Sequence, residues 1–519
     1  MSRRSALAKN TAILMASFII SRVLGLGREA VIGYQFGTNP DYGAYLAAFR
    51  VPDLLFNVIG AGAIGSAFIP VFAGLIARDE DSDAWKTASA IMNIMTVMLV
   101  ALAIAAAFFS SGITNLIVSG FSPEEQALTS NLVSIMLLSP VLFAVSGLVT
   151  AILQSYQRFL LPALAPIVYN LAIIFGALVL APHGLGVHGL AAGVVLGAAL
   201  HLGVQIPGLL RLPSRYSWTF GISLPSVREV TKLIAPRTLG LAAVQLNFIA
   251  NVNLASHLDD GPARVAALSY AWIIMLLPQG IFALSIANAI FPTFSAQVAR
   301  GEHAEMKRTL ASLVRLIAFV TIPASAGLYV LRTPIIQLLL QRGSFSAEST
   351  ALTADALQYY ALGLVPHSMV EILTRAFYAL HDTLTPVLLG LMVMGLNILL
   401  SFIFIGPMQQ GGLALANSLA TGIEMVVLGT ILWRRMGGLD DGLLRMSLVK
   451  TALATLVMVG VLIGVSLVLP SVPAAIRAII ELIVGAVAFF VAALVLGSPE
   501  LSMLQRLASR FAPRLRPTV

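Results

Sequence analysis

Two arginines and a glutamate lie inside the first long apolar segment, in the run Ser21-Arg22-Val23-Leu24-Gly25-Leu26-Gly27-Arg28-Glu29. An ionised side chain in hydrocarbon is expensive unless it faces protein or a watered cavity, so such residues mark ligand or ion sites. Two guanidiniums beside one carboxylate leave a cationic excess, and a guanidinium fork matches phosphate or pyrophosphate. The chemistry implied is capture of a phosphorylated amphiphile. On one helix Arg22 and Glu29 share a face, with Arg28 about 9 Å along the axis from Arg22.

Other charges fall in apolar surroundings. Arg50 and Asp53, followed by Asn57, are spaced to interact within one helix, as are Glu371 and Arg375. Glu371 with Arg375 reads either as a self-neutralising packing pair or as part of a coupling site. Glu424 stands alone in its segment, placed to bind a proton or Na⁺, or to meet a hydroxyl or arginine. Arg237 and Arg315 complete the set. Catalytic chemistry is poorly provided for: the chain has no cysteine, its seven histidines show no metal-ligand spacing, and Asp79-Glu80-Asp81-Ser82-Asp83 reads as a solvated turn. No cofactor or metal is expected, and the driving force would be a coupling ion or the membrane potential. Gly25 and Gly27 are expected to serve close packing or a local helix break rather than phosphate binding.

These residues need elements to carry them, and composition dictates the kind. The chain is 58% hydrophobic and 10% charged over 519 residues, with a mean hydropathy of +0.92. A soluble domain has too little polar surface for that. At roughly 20 apolar residues per crossing, the pattern predicts an all-α polytopic membrane protein with fourteen spans. They fall near 10–36, 43–76, 86–110, 126–154, 162–182, 187–211, 229–256, 263–299, 305–331, 350–380, 385–406, 411–434, 447–470 and 474–497. With the N-terminus cytoplasmic, 21 Lys/Arg fall on inner segments and 4 on outer ones, which orients both termini inward. The formal charge of +8 is then topology, not a nucleic-acid surface. Leu501, Leu504, Leu507 and Phe511 opposite Arg506, Arg510 and Arg514 predict an amphipathic helix on anionic headgroups.

The chain also repeats. Ala67-Phe68-Ile69-Pro70-Val71-Phe72 returns as Ala289-Ile290-Phe291-Pro292-Thr293-Phe294, a separation of 222, with Arg78 and Glu80 matched by Arg300 and Glu302. Gly189-Leu190-Ala191 returns as Gly412-Leu413-Ala414 after 223. Six spans per copy is an even number, so both copies enter the membrane alike and are related by a pseudo-two-fold axis along its normal. The expected organisation is a first lobe at 1–214, an interfacial linker at 215–228, a second lobe at 229–436, two extra helices at 437–498 and a basic tail at 499–519. Duplicated lobes suit a transporter.

The motifs Ser21-Arg22-Val23-Leu24-Gly25 with Arg28-Glu29, Phe36-Gly37, Ala48-Phe49-Arg50-Val51-Pro52 and Ser66-Ala67-Phe68-Ile69-Pro70 resemble the MurJ/MviN family of lipid II flippases, within the multidrug/oligosaccharidyl-lipid/polysaccharide exporter superfamily. The resemblance implies two six-helix lobes around a cationic cavity and a lipid-tail groove formed by the last two helices. The implied activity is outward movement of an undecaprenyl-pyrophosphate-linked peptidoglycan precursor across the bacterial inner membrane by a protein expected to be monomeric. It places Arg22 and Arg28 on the pyrophosphate and headgroup. Phe56, Ala61 and Ile273 stand where the family carries polar residues. A flippase for another polyprenyl-linked oligosaccharide, or a multidrug or cation antiporter, is therefore the alternative within the superfamily; a membrane enzyme acting on polyprenyl phosphates is a remote one.

Overall fold

The computed structural model describes residues 3–61, 67–213, 216–438, 441–468, 473–501 and 503. Helices dominate and no strand occurs among the described residues, because a backbone in lipid must satisfy its own hydrogen bonds. The chain forms two compact units, residues 1–266 with 340–349, and residues 267–339 with 350–519.

In the first unit α1 (Arg3–Phe36) runs unbroken into a turn at Gly37, and α2 (Pro40–Leu55) is capped by Asn39. A π-helical stretch, Phe56–Ala61, precedes α3 (Ile69–Ala77). Next come α4 (Asp81–Phe108), the short α5 (Ser110–Ile117), α6 (Pro123–Met136), which opens on a Ser122/Glu125 capping box, and α7 (Leu138–Ser155). The remaining helices are α8 (Leu160–Phe175), α9 (Gly186–Gly203), α10 (Ile206–Leu209) and α11 (Pro225–Ser256). Although α11 begins the second repeat in sequence, it packs here against α2, α4 and α5. Residues 216–224 run along α4, where the buried Asn93 donates to the Thr219 carbonyl at 2.8 Å and accepts from the Tyr216 hydroxyl at 2.8 Å.

The helix α12 (Gly261–Pro278) starts in the first unit and ends in the second. There follow α13 (Ser285–Ala299), α14 (His303–Val330), α15 (Arg332–Leu339), α16 (Ala347–Ala379), α17 (Leu384–Arg435), α18 (Asp441–Val468) and α19 (Ala474–Val495). The last two helices pack on each other and on α14, with Phe319 against Phe489 at 5.0 Å.

Among the described residues eight helical stretches are long and apolar enough to cross a membrane. Two of them, Leu160–Leu209 and Leu384–Arg435, fold back on themselves and cross twice. With α1, α2 taken together with α3, α11 and α16, the crossings among the described residues come to about fourteen, near the expected places. The protein is a multi-pass membrane protein. The tail predicted to be amphipathic lies almost wholly outside the described residues.

The duplication is written in the backbone as well. Positive φ occurs at Gly37 and Asp260, Asp79 and Gly301, Gln157 and His381, and Gly186 and Gln409, pairs separated by 222 to 224 residues. The π-helical stretch Phe56–Ala61 recurs as Gln279–Leu284, and α5 recurs as α15. Gly189 and Gly412 share a physical cause. A Cβ on Gly189 would sit 2.6 Å from the Ala181 nitrogen, and one on Gly412 would strike the Phe404 carbonyl, because each lies where a span doubles back on its predecessor. Phe72 and Phe294 occupy equivalent centres in the two cores, each fully buried.

Candidate functional site

Arg28 is held at the centre of a polar cluster in the first unit. Its Nε and Nη2 both donate to Oε1 of Glu29, at 3.1 and 2.5 Å, while Nη1 donates to Oδ1 of Asn170 on α8 at 3.2 Å. Asn170 is itself fixed by donating to the Pro166 carbonyl at 2.9 Å. Tyr45 of α2 and Tyr169 of α8 stand close enough to interact electrostatically with the guanidinium.

This arrangement corrects two sequence expectations. Arg28 does not wait uncompensated beside Arg22: Glu29 turns sideways onto it. Neighbouring residues on a helix do not ordinarily face each other, but in low dielectric the long guanidinium gains more by wrapping to the adjacent carboxylate than by staying unpaired. Arg22 is exposed. Gly25 and Gly27 mark neither a contact nor a break, since α1 is continuous there and a Cβ at either would meet nothing within 4 Å.

Arg50 lies with its guanidinium carbon 5.1 Å from the centre of the Phe248 ring on α11, a cation–π contact. Asp53, one turn on, gives its backbone carbonyl to Nδ2 of Asn57 at 2.9 Å. Phe56 packs on Phe143 at 5.4 Å, and Phe143 meets Tyr169 edge-on at 5.0 Å and His201 at 5.3 Å. An aromatic wall therefore joins the π-helical stretch after α2 to the Arg28 cluster. Behind it Ser146 bonds His201 at 2.7 Å and accepts from Gln205 at 2.8 Å, and Gln205 accepts from Thr150 at 2.8 Å.

Sequence reasoning missed Asn170, Tyr169, Tyr45 and Phe143. The adjacent Tyr169-Asn170 in the otherwise apolar run of α8 was a usable signal.

In the second unit Glu371 and Arg375 of α16 form the expected pair, at 3.6 Å, and Arg375 also donates to Asn288 of α13 at 3.4 Å. Glu424 of α17 stands near enough to Glu371 for the two carboxylates to interact. His367 bonds Asn417 at 3.0 Å beneath Trp272. Arg315 donates to Ser312 at 3.3 Å. Arg237 lies in α11, but its side chain falls outside the described part. Among the described residues no three His, Asp or Glu side chains gather as metal ligands.

An intramembrane guanidinium held by a carboxylate, an amide and tyrosines can bind an anion but offers no nucleophile or acid–base pair. The family profile described as Lipid II flippase MurJ matches residues 32–481. The chain belongs to the MurJ family. It is 29% identical over 447 residues to the probable lipid II flippase MurJ of Buchnera aphidicola subsp. Acyrthosiphon pisum, covering 86% of this chain and 87% of that one. It is 29% identical over 423 residues to the lipid II flippase MurJ of Burkholderia cenocepacia, with 79% and 80% covered. A solved structure of a lipid II flippase MurJ in an inward closed conformation superposes with a TM-score of 0.80 at 26% identity, over 93% of this chain and 98% of that one. A multidrug resistance transporter of the MATE family matches with a TM-score of 0.69 at 14% identity, covering 82% and 98%, which shows a common fold. The MurJ profile begins within α1, after Arg28 and Glu29.

Proposed function

We propose that the chain flips lipid II, the undecaprenyl-pyrophosphate-linked peptidoglycan precursor, from the inner to the outer leaflet of a bacterial inner membrane by alternating access. The observation that carries this is the match of the lipid II flippase family over nearly the whole chain. Arg28, oriented by Glu29 and Asn170, is assigned to the pyrophosphate, and Arg22 to the same headgroup. Arg50, Asp53 and Asn57 are assigned to the rest of the headgroup, with the Phe56–Phe143–Tyr169 wall taking the place of a polar contact. Arg237 is kept as a second-lobe contact. The Glu371–Arg375–Glu424 cluster, two carboxylates to one guanidinium, is assigned to coupling by Na⁺, a proton or the membrane potential. Lobes at 1–214 and 229–436, a tail groove at 437–498, cytoplasmic termini and a monomeric state complete the proposal.

Depletion in a bacterium lacking any other such flippase tests it. Lipid II should accumulate on the inner leaflet, as read by protection from an externally added lipid II-cleaving toxin. Undiminished outer exposure would overturn the assignment.

A further inference from the structure

We propose that the end of the first unit where α7 meets α8 and α10 holds a binding site for a phosphate-bearing anion, separate from the Arg28 cluster. A cavity of about 400 Å³ opens there, with Arg158 and Arg211 on its walls and Phe159, Leu160 and Leu161 as its apolar side. Gly208 forms its floor, and a Cβ there would come within 2.7 Å of Leu161 Cδ1, so the glycine leaves the space open.

Arg158 is pre-positioned. It follows Gln157, whose φ of 58° turns the chain out of α7. Its Nη1 donates to the Gly208 carbonyl at 3.3 Å and its Nη2 to the Arg211 carbonyl at 3.4 Å. Those bonds use neutral acceptors and leave the positive charge uncancelled. Among the described residues neither Arg158 nor Arg211 enters an ion pair.

The second repeat shows what a closed version of this corner looks like. Asp382 stands 224 residues after Arg158, and the adjacent Arg434 and Arg435 stand 223 and 224 after Arg211. There Arg435 donates to Asp382 at 2.6 Å, so the second unit supplies its own anion. In the first unit the carboxylate position is an arginine, and the anion must come from outside the chain.

The surroundings place the site at headgroup depth. Leu160 and Leu210 beside it are exposed, and the linker carries the exposed Trp218 and Tyr216 on the same end of the unit. Indole and phenol side chains with apolar neighbours favour the water–lipid boundary. Two guanidiniums over an apolar wall suit a phospholipid phosphate with its glycerol and upper acyl chain, and the same forks would take a soluble phosphate.

The test uses the full-length detergent-solubilised protein, with bound lipid read by native mass spectrometry during titration with phosphatidylglycerol, phosphatidylcholine or inorganic phosphate. Wild type should retain phosphatidylglycerol over phosphatidylcholine. Among the described residues the Arg211 guanidinium makes no hydrogen bond, so Arg211→Gln should fold normally and weaken retention about five-fold, the effect of one basic residue at an anionic surface. Arg158→Gln/Arg211→Gln should abolish the preference, and Lys86→Gln, also basic but not lining the cavity, should leave it intact. Displacement of the lipid by equimolar inorganic phosphate supports the site and assigns it to a soluble phosphate; displacement only by anionic lipid assigns it to the bilayer. Unchanged retention in Arg211→Gln, or an equal loss in Lys86→Gln, overturns the proposal.

Discussion

Breaking the Arg28–Glu29 pair should reveal how strongly the membrane interior binds the two charges together. Both hydrogen bonds run from one guanidinium to one carboxylate oxygen, with side-chain exposures of 26% for Arg28 and 10% for Glu29. Removing one partner of a buried pair costs about 3–5 kcal/mol, chiefly because the other charge is stranded. Arg28 is partly exposed and keeps Asn170, so the lower end applies, about 3 kcal/mol for Glu29→Gln and a similar loss for Arg28→Gln. The double variant strands neither charge and should cost little more than either single change. That is a coupling of about 2–3 kcal/mol, at the top of the range for contacting residues. Unfolding titrations of the purified variants in mixed micelles, analysed as a double-mutant cycle, measure it. Costs that add to within about 0.5 kcal/mol would refute the reasoning. Flipping separates stability from binding: the double variant should be about as abundant in the membrane as Glu29→Gln alone but should not transport, since the guanidinium assigned to the pyrophosphate is gone.

Two further changes follow from the backbone and the loops. Gln409 holds φ 50° and ψ −135° inside α17, where the first repeat has Gly186 at φ 49° and ψ −133°, so Gln409→Gly should stabilise the protein by about 1 kcal/mol in the same unfolding titration. Burial alone would raise the Asp382 carboxyl, but the Thr385 amide and hydroxyl and the Arg435 guanidinium outweigh it and bring it down to about 2. A carboxyl lowered in the folded state stabilises fully above its unfolded value near 4 and loses that contribution as pH falls toward 2. After solvent screening the contribution is about 1 kcal/mol, and the stability gap between wild type and Asp382→Asn should close over that interval.

Much of the architecture was legible because lipid imposes so few solutions. Apolar run length placed the spans, and the interval of the repeat foretold even the pairing of Gly189 with Gly412. The charges were found by the same rule, as ionised residues where none should be. What the sequence hid was which partner each would choose. Helical geometry put Glu29 on the face of Arg22, whereas the side chain reached its immediate neighbour. Asn170 lies 142 residues from Arg28, a distance no local pattern bridges. The break at Gln409 was foreseen as a gap between spans, but its left-handed residue was not, since glutamine gives no sign of such a turn. Gly25 and Gly27 misled in the opposite sense, suggesting a close contact or a break that the continuous α1 does not use.

The far end of α1 sets a timetable for synthesis. Tyr34 accepts a backbone bond from Ser344 at 2.8 Å, Thr38 shares a hydroxyl bond with Ser349 at 2.8 Å, and Gly37 sits so close to the Ser344 carbonyl that no side chain fits. Those partners emerge some 310 residues after the helix they close. At about 5–20 residues per second, the first helix waits on the order of 15–60 s in the membrane before its end is sealed. Through that interval Arg28 must be sheltered by contacts made sooner, and Glu29, the very next residue to leave the ribosome, is the earliest the chain can supply.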